Sequence, residues 1–355
     1  NPPSGSPQPE MKSLQEIWDK LEALEQSNNA QNQEIAALRE QNANLLRETG
    51  AAPWKISEVI NQGSEVSAAK KPDGTRAIAY LDNFLQLWYA EYVAGTWQTT
   101  QVESGSATYN DPSLAISPSG NPGISYFDFN NTDLKYASFD GSQWTTEFVE
   151  ISDDNIGRNS SLAFSPAGTP SITYEDKTND RLRYAFLSVG LDFEVWFTSE
   201  VDSGTRVVKP SSHAYNAQGD PVVAYQDFGN GSLKYAVNQE GSWQSSVVDN
   251  SNADTGRHLS LAITPGGEPA IAYYEFSTKR LKYAQNFAGS PWWSINVVET
   301  EDRADDEIRL AFRPNGEPSI SHTDFDGGDL YYSEHYQGEW RTDSVATLGP
   351  IESPQ

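Results

Sequence analysis

One short pattern returns six times in this 355-residue chain: a β-branched apolar residue, any residue, tyrosine (histidine in the last copy), any residue, then an acid. It reads IAYLD (Ile78 to Asp82), ISYFD (Ile124 to Asp128), ITYED (Ile172 to Asp176), VAYQD (Val223 to Asp227), IAYYE (Ile271 to Glu275) and ISHTD (Ile320 to Asp324). The acids lie 46, 48, 51, 48 and 49 residues apart. A period of this size marks a supersecondary unit that cannot bury its apolar face without neighbours. Each unit holds four segments of period-two alternation. In the second unit they are Ser113 to Ser117, Gly123 to Asp128, Asp133 to Phe139 and Trp144 to Glu150. Turns rich in Gly, Pro, Asn and Asp join them (PSGNP, FNNTD, DGSQ), and no helical period intrudes. Four antiparallel strands repeated every ~50 residues predict an all-β fold, a six-bladed β-propeller of four-stranded blades, over residues 51–349. Another outer-strand-like segment, Trp54 to Ile60, precedes the first full unit. It closes the last blade, adds a fifth strand, or is donated elsewhere.

Upstream, residues 1–10 (NPPSGSPQPE) are a flexible Pro/Ser-rich lead. Residues 11–50 carry a heptad seam: Leu14, Ile17, Leu21, Leu24, Asn28, Gln31, Ile35, Leu38, Asn42 and Leu45. Such a stripe needs partner helices, so it predicts an α-helical coiled coil and a homo-oligomer. Lys20 with Glu25, and Glu34 with Arg39, suit g-to-e′ pairing in a parallel arrangement. Ile35 with Leu38 favours two strands, whereas Leu14 with Ile17 favours more, which leaves dimer and trimer open. Gly50 and Pro53 end the helix, and residues 350–355 form a short C-terminal tail.

Charge narrows the partners. Fifty acids against 24 bases give a net charge of −26, which argues against nucleic acid and anionic membrane surfaces. No apolar run approaches the ~20 residues of a membrane helix. The absence of cysteine removes disulfides and thiol nucleophiles, and the four histidines (His213, His258, His322, His335) lack a nucleophile-elbow context.

The pattern SLAxxPxGxPxISYxD…DLKYAxxxGxxW, as it stands from Ser113 to Trp144, resembles a bacterial family of extracellular sialidase-like or BNR-like propeller repeats. Some members carry an N-terminal coiled coil. The resemblance implies the propeller fold and an extracellular or cell-surface location. Ser138 to Trp144 (SFDGSQW) is similar to the Asp box of sialidases, a structural turn on the face away from their active site. A sialidase also needs three arginines clamping a carboxylate. Arg158, Arg206 and Arg257 recur in one blade-to-blade loop, within IGR, GTR and TGR. They form either an anion-binding ring or local pairs with acids such as Asp153, Asp202 and Asp254.

Strand parity sets each repeated acid beside the residue two positions earlier. The pairs are Tyr80/Asp82, Tyr126/Asp128, Tyr174/Asp176, Tyr225/Asp227, Tyr273/Glu275 and His322/Asp324. An aromatic ring with a carboxylate suits stacking on a sugar and accepting its hydroxyls. Alternatively the acids cap the following turns, or pair with Lys135, Arg183, Lys234 and Lys282 one strand on. Two of these turns, Asp128/Asn130/Asp133 and Asp324/Asp326/Asp329, also gather oxygen ligands of the kind Ca²⁺ takes, and no other cofactor is indicated.

These readings converge on a non-enzymatic, oligomeric recognition or adhesion protein that presents propellers on a stalk and binds glycans or surface partners. A secreted sialidase-like glycoside hydrolase and a structural scaffold are the alternatives.

Overall fold

The computed structural model describes residues 64–103, 109–190, 194–202, 211–251, 254–287, 290–301, 306–313, 315–324 and 328–346. The heptad seam, the Trp54 to Ile60 segment, Arg206 and Asp326 lie outside the described residues. The 24 strands form six four-stranded sheets, each antiparallel and ordered first to fourth along the chain. Blades 1 to 6 comprise residues 64–101, 109–150, 156–202, 212–249, 255–299 and 306–346. The predicted six-bladed propeller is thus present, and no helix occurs among the described residues.

First strands face one another around the axis, and fourth strands lie outermost. A cavity of about 180 Å³ is lined by Glu65, Asp111, Asn159, Glu307 and Arg309, drawn from the first strands of blades 1, 2, 3 and 6. Blade 6 therefore returns to blade 1 and the ring closes. Second strands are almost wholly buried, as in Pro122–Asp128, whereas most of the fourth strand Trp144–Glu150 is exposed. That gradient matches the sequence, since the second segment of each unit carries the repeat's β-branched residue and ring, whereas polar residues dominate the fourth. Five of the six apolar clusters span a blade boundary. Leu134, Tyr136 and Val149 of blade 2, for example, pack against Ile156, Leu162, Ile172 and Tyr174 of blade 3.

Tight turns between first and second strands need a left-handed residue, which Gly120 supplies at φ 91° and Gly168 at φ 87°. These turns share one end of the ring with the third-to-fourth turns. Second-to-third turns and blade-to-blade connections share the other.

Candidate functional site

The repeated tyrosines are interior. Tyr126, Tyr174, Tyr225 and Tyr273 are fully buried, Tyr80 nearly so, and His322 is buried against Tyr331 and Ser333. As folded, these rings present no face to a sugar. Their acids cap turns. Asp82 Oδ1 accepts the N–H groups of Phe84 and Gln86, both at 2.9 Å. Asp128 Oδ1 accepts those of Asn130 and Asn131, Asp176 Oδ1 that of Asn179, Asp227 Oδ1 that of Asn230, and Asp324 Oδ1 that of Asp329. Glu275 instead accepts from Ser251, Thr278 and Lys282.

The tyrosine hydroxyls reach backwards, to the blade before. Tyr126 donates to Glu103 at 2.7 Å, Tyr225 to Asp202 at 2.7 Å and Tyr273 to Asp249 at 2.7 Å, and Tyr174 donates to Glu150. The same acids hold the third-strand bases. Lys135 pairs with Glu103, Arg183 with Glu150 at 2.7 Å, Lys234 with Asp202 at 2.5 Å and Lys282 with Asp249 at 3.1 Å. Four successive boundaries are therefore latched by tyrosine, base and acid. Burial works to raise the Glu103 and Asp249 carboxyls, but the Lys and Tyr hydrogen bonds outweigh it and hold both below their ordinary values. A charge in so polar a pocket is satisfied rather than reactive. The pairing foreseen between each base and its own blade's acid is secondary; only Lys282, on Glu275, makes it closely.

Of the turns proposed for Ca²⁺, the one with Asp326 lies partly outside the described residues, and in the other the carboxylates are already engaged. Asp128 already receives N–H groups, Asn131 Nδ2 among them, and Asp133 Oδ1 accepts the Ser152 N–H at 3.1 Å. No group of three metal-ligating side chains is gathered among the described residues. The arginines are also engaged. Arg257 is paired with Asp254 and stacked 3.6 Å above Phe276, while Arg158 donates to Asn155 and lies 4.7 Å from the Phe127 ring centre. Asp140 of the Asp-box segment caps its own turn, accepting from Ser142 and Gln143.

Concavity lies elsewhere, between blades at the end that carries the third-to-fourth turns. Every boundary from 1/2 to 5/6 sets a third-strand tyrosine edge-on or tilted against the next blade's fourth-strand tryptophan. The pairs are Tyr89–Trp144, Tyr136–Trp196, Tyr184–Trp243, Tyr235–Trp293 and Tyr283–Trp340, with ring centres 5.2–5.4 Å apart. Beside these pairs the 2/3 boundary opens into a groove of about 480 Å³ and the 5/6 boundary into one of about 610 Å³, which Tyr136 and Tyr283, themselves buried, reach only by an edge. Tyr136, Ser138, Phe139, Glu147, Phe164 and Glu194 are among the lining residues of the first. In the second they include Tyr283, Gln285, Phe287, Asn296, Glu339 and Trp340. Tyr283 donates to Gln285 Oε1 at 2.9 Å, so the amide's other end is left to a guest. Aromatic walls with a few hydroxyl, amide and carboxylate groups suit a saccharide's alternating apolar and hydroxyl faces. Among the described residues, neither lining contains Lys or Arg.

No protein-family model matches the sequence, and no curated protein matches it. Solved structures do. A triple arginine-to-alanine mutant of AofleA from Arthrobotrys oligospora is 15% identical, with 83% of this chain and 89% of that chain covered at TM-score 0.56. A mutant Aleuria aurantia lectin bound to Fucα1-6GlcNAc is 14% identical, covering 83% and 99% at TM-score 0.52. The intramolecular trans-sialidase from Ruminococcus gnavus, bound to oseltamivir carboxylate, is 11% identical, covering 83% and 96% at TM-score 0.53. At such identities the likeness is one of fold.

Proposed function

We propose that this chain is a glycan-binding propeller whose sugar sites are the grooves at the 2/3 and 5/6 boundaries. The observation that carries the reading is that aromatic side chains (Phe139 and Phe164 in one groove, Phe287 and Trp340 in the other) share the walls with hydroxyl, amide and carboxylate groups. Structural likeness to a lectin holding a fucosylated disaccharide supports it. The seam from Leu14 to Leu45 then joins two or three propellers on one extracellular stalk, so that weak sites gain by avidity. A sialidase-like hydrolase is the second reading, favoured by the likeness to the trans-sialidase. It is weaker here because, among the described residues, no arginine lines either groove.

A glycan array probed with the intact chain, in calcium and in chelator, tests the reading. It expects specific signal that survives chelation and leaves the arrayed sugars unhydrolysed. A blank array excludes it in favour of a scaffold, and hydrolysis favours the second reading.

A further inference from the structure

All boundaries share one framework, but they differ at one position, the third-strand residue two places after the groove tyrosine. That residue is Glu91 in blade 1, Ser138 in blade 2, Phe186 in blade 3, Val237 in blade 4, Gln285 in blade 5 and Glu334 in blade 6. Its side chain rises beside the tyrosine and meets the fourth strand opposite.

In the two grooves described above the position is an uncharged hydrophilic residue, Ser138 or Gln285. Ser138 bonds across to Thr145 at 3.0 Å and leaves room for the groove that Phe139, Glu147, Phe164 and Glu194 help to line. Gln285 is held by Tyr283 along the wall. At the other boundaries the space is taken. Phe186 stacks on Tyr184, centres 6.0 Å apart, and on Phe197 opposite it, 5.6 Å apart, so two rings stand where blade 2 has Ser138 and Thr145. Val237 packs onto the apolar cluster of blades 4 and 5. Glu91 accepts the Tyr89 hydroxyl at 2.5 Å and pairs with Lys71, and Glu334 is held by Arg313 at 2.8 Å. Stacked, packed or ion-paired side chains here must be displaced before a sugar enters, at a cost that a weak sugar contact does not return.

We infer that the chain carries two glycan sites, and that this one position gates each groove. The inference rests on the glycan-binding reading. Boundaries 2/3 and 5/6 are three blades apart, hence on opposite sides of a six-bladed ring, so the two sites face away from each other. One propeller then bridges two separate glycans rather than gripping a single branched one.

Isothermal titration calorimetry of the full chain tests it. The probe is whichever methyl glycoside of fucose, galactose, mannose, glucose or N-acetylglucosamine binds most tightly. The expected stoichiometry is two per chain. Ser138→Phe or Gln285→Phe alone lowers it to one, and the pair abolishes heat of binding while the unfolding midpoint stays near that of the parent. Copying the blade-2 pair into blade 3, by Phe186→Ser with Phe197→Thr, raises it to three. A native stoichiometry of three or more overturns the inference while leaving the glycan reading intact. So does a value of two that neither groove-filling change alters. If none of the methyl glycosides binds the intact chain, the glycan-binding reading itself falls.

Discussion

The main-chain N–H of Leu162, in the first strand of blade 3, donates to Ser113 Oγ in the first strand of blade 2 at 3.0 Å. The bond repeats around the axis: Ser67 takes Leu114, Ser161 takes His213, Ser212 takes Leu261 and Ser260 takes Leu310, at 2.9–3.0 Å. In blade 6 the position is Arg309, which pairs instead with Glu307 at 2.8 Å. Five hydroxyls thus fasten consecutive inner strands, and the closing boundary is built differently. Replacing Ser113 with Ala leaves a part-buried N–H without its acceptor, a loss of about 1–3 kcal/mol. Ser142→Ala, in an exposed turn, should cost less than half as much. Urea midpoints of the two variants give the comparison, and equal losses would contradict the stitching role.

The latches give a larger effect. Lys135 and Glu103 are partners across the 1/2 boundary, with Tyr126 as a third member. Removing one partner of a buried pair typically costs about 3–5 kcal/mol, because the other charge stays buried. Lys135→Met should therefore destabilise strongly. Lys135→Met with Glu103→Gln should recover much of the loss. Thermal unfolding of the single and double variants reads this; a double variant no more stable than the single would refute the coupling.

Acid sensitivity follows from His213. Burial pushes this imidazole down to about 4 from its usual 6.5, and its ring nitrogens bond Ser171 at 2.7 Å and the Val222 carbonyl at 3.0 Å. The unfolded chain takes up a proton below pH 6.5 that the folded chain refuses until about pH 4. Stability is then complete above pH 6.5 and falls as pH drops towards 4, by about 3 kcal/mol over the window. His213→Gln should flatten that part of the pH–stability curve. An unchanged slope between pH 6.5 and 4 would show that other groups carry it.

The proposed sugar sites should discriminate by charge. With Glu147, Glu194 and Glu339 at the walls, a terminal sialic acid meets repulsion with no cation among the described lining residues to offset it. Sialylated glycans should bind at least about tenfold more weakly than the same glycans after desialylation, about 1.4 kcal/mol. Glu194→Gln with Glu339→Gln should narrow the gap. Array signals for matched pairs decide the matter; stronger binding of the sialylated member would reverse the sign.

The repeat made the propeller legible because its alternation and turns are local properties, written six times over. The site was harder. Tyr126 and Asp128 look like a sugar platform in sequence, yet the neighbouring blade covers the ring, and burial by a neighbour about 50 residues away leaves no local trace. One signal was readable. An acid follows the fourth-strand tryptophan by six residues at Trp97/Glu103, Trp144/Glu150, Trp196/Asp202, Trp243/Asp249 and Trp293/Glu299, and the first four of these acids are the ones the structure shows in the latches. Blade 6 has Ala346 there. The groove residues Ser138 and Gln285 differ from their counterparts without disturbing the pattern, so only the packed ring shows them lining the grooves.

The most direct test is a crystal structure of the full chain soaked with its strongest neutral array hit. The account predicts sugar density in the grooves beside the Tyr136–Trp196 and Tyr283–Trp340 pairs, within hydrogen-bond reach of Ser138 and Gln285. Density confined to the opposite face, beside Arg158 and Phe129 or Arg257 and Phe276, would contradict it.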